Sequence, residues 1–199
     1  MKKILLPTLG ILTFISSTAL AGPYVGASLG LAIVHDSDVQ VSGFSGTATA
    51  NYDAGFGFNL AVGQKFEPLR VEGEFGFKKA DLSSLSGPGG SVNVNDSDLT
   101  VTSYMVNAYY DFKADTFPIK PFVGVGLGLL HGELSVPGEN DSDNQFGYQF
   151  TVGASYPVDQ AINMDLLYRY QGSASDFAAN GVSVSYGSSS IMAGIRYNF

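Results

Sequence analysis

The last nine residues, Ile191-Met192-Ala193-Gly194-Ile195-Arg196-Tyr197-Asn198-Phe199, alternate without interruption. Ile191, Ala193, Ile195, Tyr197 and Phe199 share one face, and Met192, Gly194, Arg196 and Asn198 share the other. A period of two is that of a β-strand, in which successive side chains point to opposite faces. The stretch ends on an aromatic residue, with a second aromatic two positions earlier on the same face. Water offers such an exposed ring nothing, whereas the boundary between lipid and water favours it. The reading is a strand whose apolar face meets lipid.

The same period recurs along the chain. The run from Pro23 sets Val25, Ala27, Leu29, Leu31 and Ile33 against Tyr24, Gly26, Ser28, Gly30 and Ala32. Further runs cover 53–66, 69–78, 103–112, 121–130, 146–156 and 162–171, which with the first and last stretches makes eight. Each is about ten residues long, the length a tilted strand needs to cross a bilayer. Long polar stretches at 35–51, 79–98, 132–145 and 172–188 alternate with brief turns at Glu67-Pro68, 115–117 and 157–160. An even strand number with alternating long and short connections predicts an all-β fold: an eight-stranded antiparallel up-and-down transmembrane β-barrel, with four longer extracellular loops and short periplasmic turns.

Alternation alone does not say which face is wet. A soluble sandwich or lipocalin-like barrel would bury Phe75 and Phe77 and leave Arg70, Glu72 and Glu74 in water. Three features favour the membrane. Aromatic residues gather at strand ends, with Phe66, Tyr110, Phe112, Tyr156, Tyr197 and Phe199 at the short-turn side and Phe56, Phe77, Phe146, Tyr148, Tyr168 and Tyr170 toward the loops. Such girdles mark the two membrane surfaces, and a soluble core has no reason to sort rings in that way. The opposite face is rich in glycine and small polar residues, which suits a narrow lumen. Finally, Lys2 and Lys3 precede an apolar run from Ile4 to Ile15, followed by Ala19-Leu20-Ala21. That is the pattern of a secretory signal peptide over residues 1–21, leaving residues 22–199 for the barrel. A helical anchor would need about 20 continuous apolar residues, and here Pro7, Gly10 and Ser16-Ser17-Thr18 interrupt them.

The opening Pro-Tyr-Val-Gly-Ala-Ser-Leu-Gly at 23–30, its near-repeat Pro-Phe-Val-Gly-Val-Gly-Leu-Gly at 121–128 and the terminal Gly-Ile-Arg-Tyr-Asn-Phe together resemble the small Gram-negative outer-membrane β-barrels, the family of opacity proteins and OmpX, Ail and OmpA-type barrels. The resemblance covers nearly all of the chain after the signal peptide. It implies that Gly194, Tyr197 and Phe199 form the C-terminal assembly signal read by the barrel-assembly machinery. Met192 departs from the pattern, which expects a polar residue there. The resemblance also implies a cell outer-membrane location, a wall in contact with membrane lipid and lipopolysaccharide, and a monomeric barrel.

Composition narrows the function further. The chain has 10 basic and 18 acidic residues, a net charge of −8 that becomes −10 without Lys2 and Lys3. Nucleic acid is not an expected partner, because phosphate binding wants a basic surface. There is no cysteine, so no disulfide framework or thiolate metal site arises.

Parity places Lys65, Arg70, Lys78, Lys120, Arg169 and Arg196 on the inward face, with Glu72, Glu74, Asp111 and Asp165. An eight-stranded barrel is only wide enough for its side chains, and unpaired charge there is costly. The expectation is an ion-pair network plugging the lumen, with Arg70 beside Asp111 and Asp165 beside Arg196 at the short-turn end. The alternative is a small, low-conductance porin, although strong selectivity would want one dominant sign of charge.

The polar stretches carry Asp-Ser-Asp three times, at Asp36 and Asp38, Asp96 and Asp98, and Asp141 and Asp143. Such carboxylates can gather divalent cations, but no EF-hand spacing accompanies them, and a solvated acidic rim is the reading adopted. These loops would repel lipopolysaccharide phosphates unless divalent ions bridge the two. No catalytic set is assigned. Some eight-stranded barrels modify lipid A, which requires a nucleophile, a base and an orienting acid. Only His35 and His131 offer a histidine base, and Gly132-Glu133 and Ser135 make a loose group around the second. The glycines at 26, 30, 124, 126 and 128 are no phosphate cradle, since no helix follows them. They suit close packing inside a barrel. Function is therefore expected in the loops, as a structural or surface-interaction, adhesin-like role toward a host or surface ligand.

Overall fold

A computed structural model describes residues 21–35, 37–41, 47–52, 54–87, 90–93, 98–113, 117–136, 139–175, 177–179, 182–184 and 186–199. Most of the expected signal peptide lies outside them. Thirteen strands follow in order: β1 (Ala21–Val34), β2 (Ser37–Val41), β3 (Thr47–Tyr52), β4 (Gly55–Phe66), β5 (Leu69–Gly87), β6 (Gly90–Asn93), β7 (Asp98–Asp111), β8 (Lys120–Val136), β9 (Glu139–Pro157), β10 (Ile162–Ser173), β11 (Phe177–Ala179), β12 (Val182–Val184) and β13 (Gly187–Asn198).

Eight of them, β1, β4, β5, β7, β8, β9, β10 and β13, pair antiparallel with their sequential neighbours. The last pairs with the first, from Tyr24 opposite Asn198 to Val34 opposite Ser188, and so closes the barrel. At the seam the Phe199 amide donates to the Pro23 carbonyl at 3.0 Å. Closure leaves the wall without a free edge, which is what lets strands cross a bilayer with every backbone group paired.

The distribution of burial is inverted relative to a water-soluble protein. Arg169, Gln149, Gln171 and Asn107 are all 2% exposed or less, whereas Leu29 is 71% exposed and Val106 65%. The apolar face of every barrel strand points out and the polar face in, as period two requires. The outward girdles form edge-to-face ring pairs, Tyr197 with Phe199 at 5.1 Å and Tyr110 with Phe112 at 5.0 Å at the short-turn end. At the other end Tyr148 pairs with Phe150 at 5.9 Å.

The long connections differ from the expectation of polar loops. β5 runs on to Gly87, β8 to Val136, and β9 starts at Glu139, so three barrel strands continue well beyond the apolar band. β2, β3, β6, β11 and β12 form a further sheet in the order β11-β12-β2-β3-β5, with β6 also on β5. Stretches such as Val39-Gln40-Val41, Thr47-Ala48-Thr49 and Val182-Ser183-Val184 explain why. They alternate β-branched residues with Gln, Ala or Ser, a period-two pattern that favours a strand. The short turns at Glu67-Pro68 and 157–160 behave as read, while most of 115–117 lies outside the described residues. At 157–160 the Asp159 carboxylate accepts from the Ala161 and Ile162 amides at 2.7 Å each, the local bond that makes aspartate a turn residue.

Candidate functional site

The lumen is built in layers from the short-turn end upward. At its rim Lys65 turns out to Glu67, 2.7 Å away, and Lys120 is exposed. These two cations, assigned inward by parity, are at the solvent edge because their strands end there. The Lys65 ammonium bonded to it holds the Glu67 carboxyl below its ordinary range.

The next layer holds two arginines. Arg70 Nε donates to both Asp111 oxygens at 2.9 Å, since Arg70 on β5 is opposite Tyr109 on β7 and Asp111 lies two residues on, on the same face. Arg196 Nη2 donates to Asp165 at 3.3 Å and to Ser155 at 3.0 Å. The Tyr24 ring lies 5.9 Å from the first guanidinium and 5.4 Å from the second. Arg70 also lies 4.6 Å from the Tyr109 ring and 5.1 Å from that of Phe122.

Glu72 comes next and has no cation within ion-pair distance among the described residues. Its carboxylate accepts instead from Tyr24 Oη at 2.9 Å, Tyr109 Oη at 2.9 Å and Asn107 Nδ2 at 3.2 Å. Above it, Arg169 Nη1 donates to Glu74 at 2.7 Å, with both side chains almost fully buried. Arg169 also donates to Tyr109 Oη and Thr151 Oγ1, each at 3.2 Å. Gln149 donates to Glu74 at 3.2 Å and to Asn107 at 2.7 Å, and Gln171 donates to Gln149 at 3.0 Å. Lys78 is held by Gln171 at 3.1 Å and Ser188 at 2.9 Å. Val34, Ala80, Val101, Met105, Leu130 and Tyr186 then close the long-loop half with an apolar cluster.

Buried polar groups need partners, and this network supplies most of them from six strands at once. The eight charged residues Arg70, Glu72, Glu74, Lys78, Asp111, Asp165, Arg169 and Arg196 all lie in it, six of them in three ion pairs, with Glu72 and Lys78 hydrogen-bonded but in no ion pair among the described residues. Sequence reasoning did not single out Tyr24, Tyr109, Phe122 or Tyr186. The available signal was glycine on the facing strand: Tyr24 is opposite Gly63, Tyr109 opposite Gly124 and Phe122 opposite Gly153. A Cβ on any of these glycines would overlap the ring. The last glycines of the near-repeat, Gly30 and Gly128, instead lie against the neighbouring backbone at Ile191 and Tyr104.

The acidic residues are not assembled into one centre. Asp36 and Asp96 lie outside the described residues. Asp38 lies on β2 and Asp141 on β9. Asp98 pairs with Lys79 at 3.1 Å, while Asp143 accepts from the Asn144 amide at 2.7 Å and Gln145 at 2.9 Å. Among the described residues no three side chains of metal-binding type converge. His131 bonds Asn144 at 2.9 Å, and His35 bonds Ser189 at 2.8 Å.

A closed barrel with a greasy wall, aromatic girdles and a polar interior defines a membrane-spanning barrel of the outer-membrane type. A family model for the outer membrane protein beta-barrel domain matches residues 6–199. The chain belongs to that family and is a protein of the outer membrane. Outer membrane protein PagN of Salmonella typhimurium is 29% identical over 184 residues, covering 78% of this chain and 76% of that protein. A Rickettsia conorii protein named as a candidate adhesin, RC1281, is 28% identical over 121 residues. That match covers 50% of this chain and 48% of the relative, so the chain spans about half of its length. Among solved structures, Neisserial surface protein A superposes with a TM-score of 0.61 at 23% identity, covering 89% of this chain and 97% of that one. At this identity the likeness speaks to the fold.

Proposed function

We propose that this barrel is a closed, non-conducting scaffold that presents its long connections outside the cell as a structural or adhesin-like surface. The observation that carries the reading is the filling of the lumen. From Arg70 to Leu130 the interior is occupied by bonded polar side chains and then by an apolar cluster. The long-loop end, in contrast, is built out by strands that continue above the wall. In barrels of this class the long connections face the outside. The relative named as a candidate adhesin supports the same direction. No catalytic role is assigned to the chain.

The charge of the rim narrows the partner. Lys79 faces outward there and is engaged by Asp98, while Asp81 and Glu133 are exposed nearby. The Asp-Ser-Asp stretches add to the same sign. Such a rim suits a basic protein surface, or divalent cations bridging it to lipopolysaccharide phosphates, and repels polyanions.

The test has two arms. Deleting residues 137–138 with the tip of the β8–β9 hairpin is expected to abolish adhesion of bacteria displaying the protein, with heat-shifted gel mobility retained. The intact protein is expected to give no steady current in a planar bilayer. A stable current from the wild-type chain, unaffected by loop deletion but altered in Arg70→Ala, would replace the scaffold reading with that of a small pore. Thermal stability in lipopolysaccharide that EDTA leaves unchanged would remove the divalent bridge.

A further inference from the structure

We infer that the short-turn half of the lumen contains a binding site for one small monovalent anion, a halide or a carboxylate of formate size, between Arg70 and Arg196. A cavity of about 50 Å³ lies there, lined among others by Tyr24, Arg70, Glu72, Arg169 and Arg196. Arg70 Nη2 and Arg196 Nε and Nη1 are buried and have no acceptor among the described residues. Both arginines are more than nine-tenths buried. An enclosed guanidinium N–H left without an acceptor costs more than an ordinary unmade bond, because the group is charged.

These N–H groups call for acceptors. Glu72 already accepts from Tyr24, Tyr109 and Asn107, and Glu74 from Arg169 and Gln149. Water would bring two further hydrogens that need acceptors, whereas an anion brings acceptors alone. Arg70 and Arg196 carry these donors in addition to the bonds that Asp111 and Asp165 already accept from them, and Glu72 and Glu74 are engaged by donors of their own.

Size sets the class. A water needs about 10–15 Å³ on this measure, so the cavity admits a small ion with one or two waters and excludes a sugar phosphate or nucleotide. Tyr24 lies within reach of both guanidiniums and bonds Glu72, so it fixes the spacing of the two arginines.

The test is the chloride NMR linewidth of sodium chloride in the presence of the refolded full-length chain in zwitterionic micelles. The expected result is broadening beyond that of micelles alone, competed away by formate at constant ionic strength. A chain of net charge −8 gives chloride no non-specific reason to stay. Arg196→Gln should reduce the linewidth to the micelle value. Ala61→Leu, which fills the cavity and keeps every charge, should do the same if Arg196→Gln fails to fold. Absence of broadening from wild-type protein with folded gel mobility would overturn the site, as would broadening that formate or Ala61→Leu leaves unchanged; the donors would then be met by water.

Discussion

Each ion pair is worth what its surroundings make it. Arg169 and Glu74 meet at 2.7 Å with side-chain exposures of 2% and 3%. Removing one partner strands the other charge among buried groups, which costs about 3–5 kcal/mol. Arg169→Met should lower the unfolding free energy in denaturant by that amount, and Arg169→Met combined with Glu74→Gln should recover much of the loss. Lys65 and Glu67 are equally close, at 2.7 Å, but their side chains are 32% and 65% exposed. Lys65→Ala should therefore cost no more than about 1 kcal/mol. The Glu67 carboxyl is held below its ordinary range in the folded chain. Its small contribution is thus present above the unfolded carboxyl pKa and disappears as pH falls through the depressed folded value. A Lys65→Ala effect that persists below that range would contradict the assignment.

At the scale of strands, glycines of one residue type do opposite work on the two faces. Gly124 lies under the Tyr109 ring, so an added methyl must displace a side chain that Arg169 and Glu72 hold in place. Gly124→Ala should destabilise by about 1–3 kcal/mol through overpacking. Gly73 faces outward with nothing within 4 Å of an added Cβ, and Gly73→Ala should stabilise the strand by about 0.5 kcal/mol or more. Urea titration of the two variants in liposomes reads the difference directly, and equal effects would mean the faces are misassigned. The same contrast explains how much of the fold is legible in the sequence. Strand faces were legible because lipid and lumen sort residues with period two; Phe75, Phe77, Glu72 and Glu74 could only divide one way. Arg70 with Asp111 was legible because both sit near one turn on consecutive runs. The pairing of Tyr109 with Gly124 needs the register between strands, which no single run encodes. Beyond the membrane nothing sorts the residues, so the alternation in Val182-Ser183-Val184 had no greasy side to mark it as a strand.

For the whole molecule, the question is which barrier would keep the lumen shut under the proposed scaffold reading. Two are stacked in series: the charged and amide network from Arg70 to Lys78, and the apolar cluster of Val34, Ala80, Val101, Met105 and Leu130 above it. A hydrophobic constriction blocks ions by refusing water, whereas a polar network blocks them by occupying the space and holding its own bonds. The apolar barrier can be wetted without touching any charge. Leu130→Ser with Met105→Ser should let water into the long-loop half, yet leave the current at the level of the bare bilayer, because the lower network still fills the bore. Adding Gln149→Ala and Gln171→Ala, which removes the amides that brace Glu74 and Lys78, should then allow a measurable current. If the serine pair alone conducts in a planar bilayer, the polar network is porous and closure rests on the apolar cluster. If the amide pair alone conducts, the cluster is already wet. Only the requirement for both changes together is consistent with two independent seals, the redundancy that the proposed scaffold role would call for.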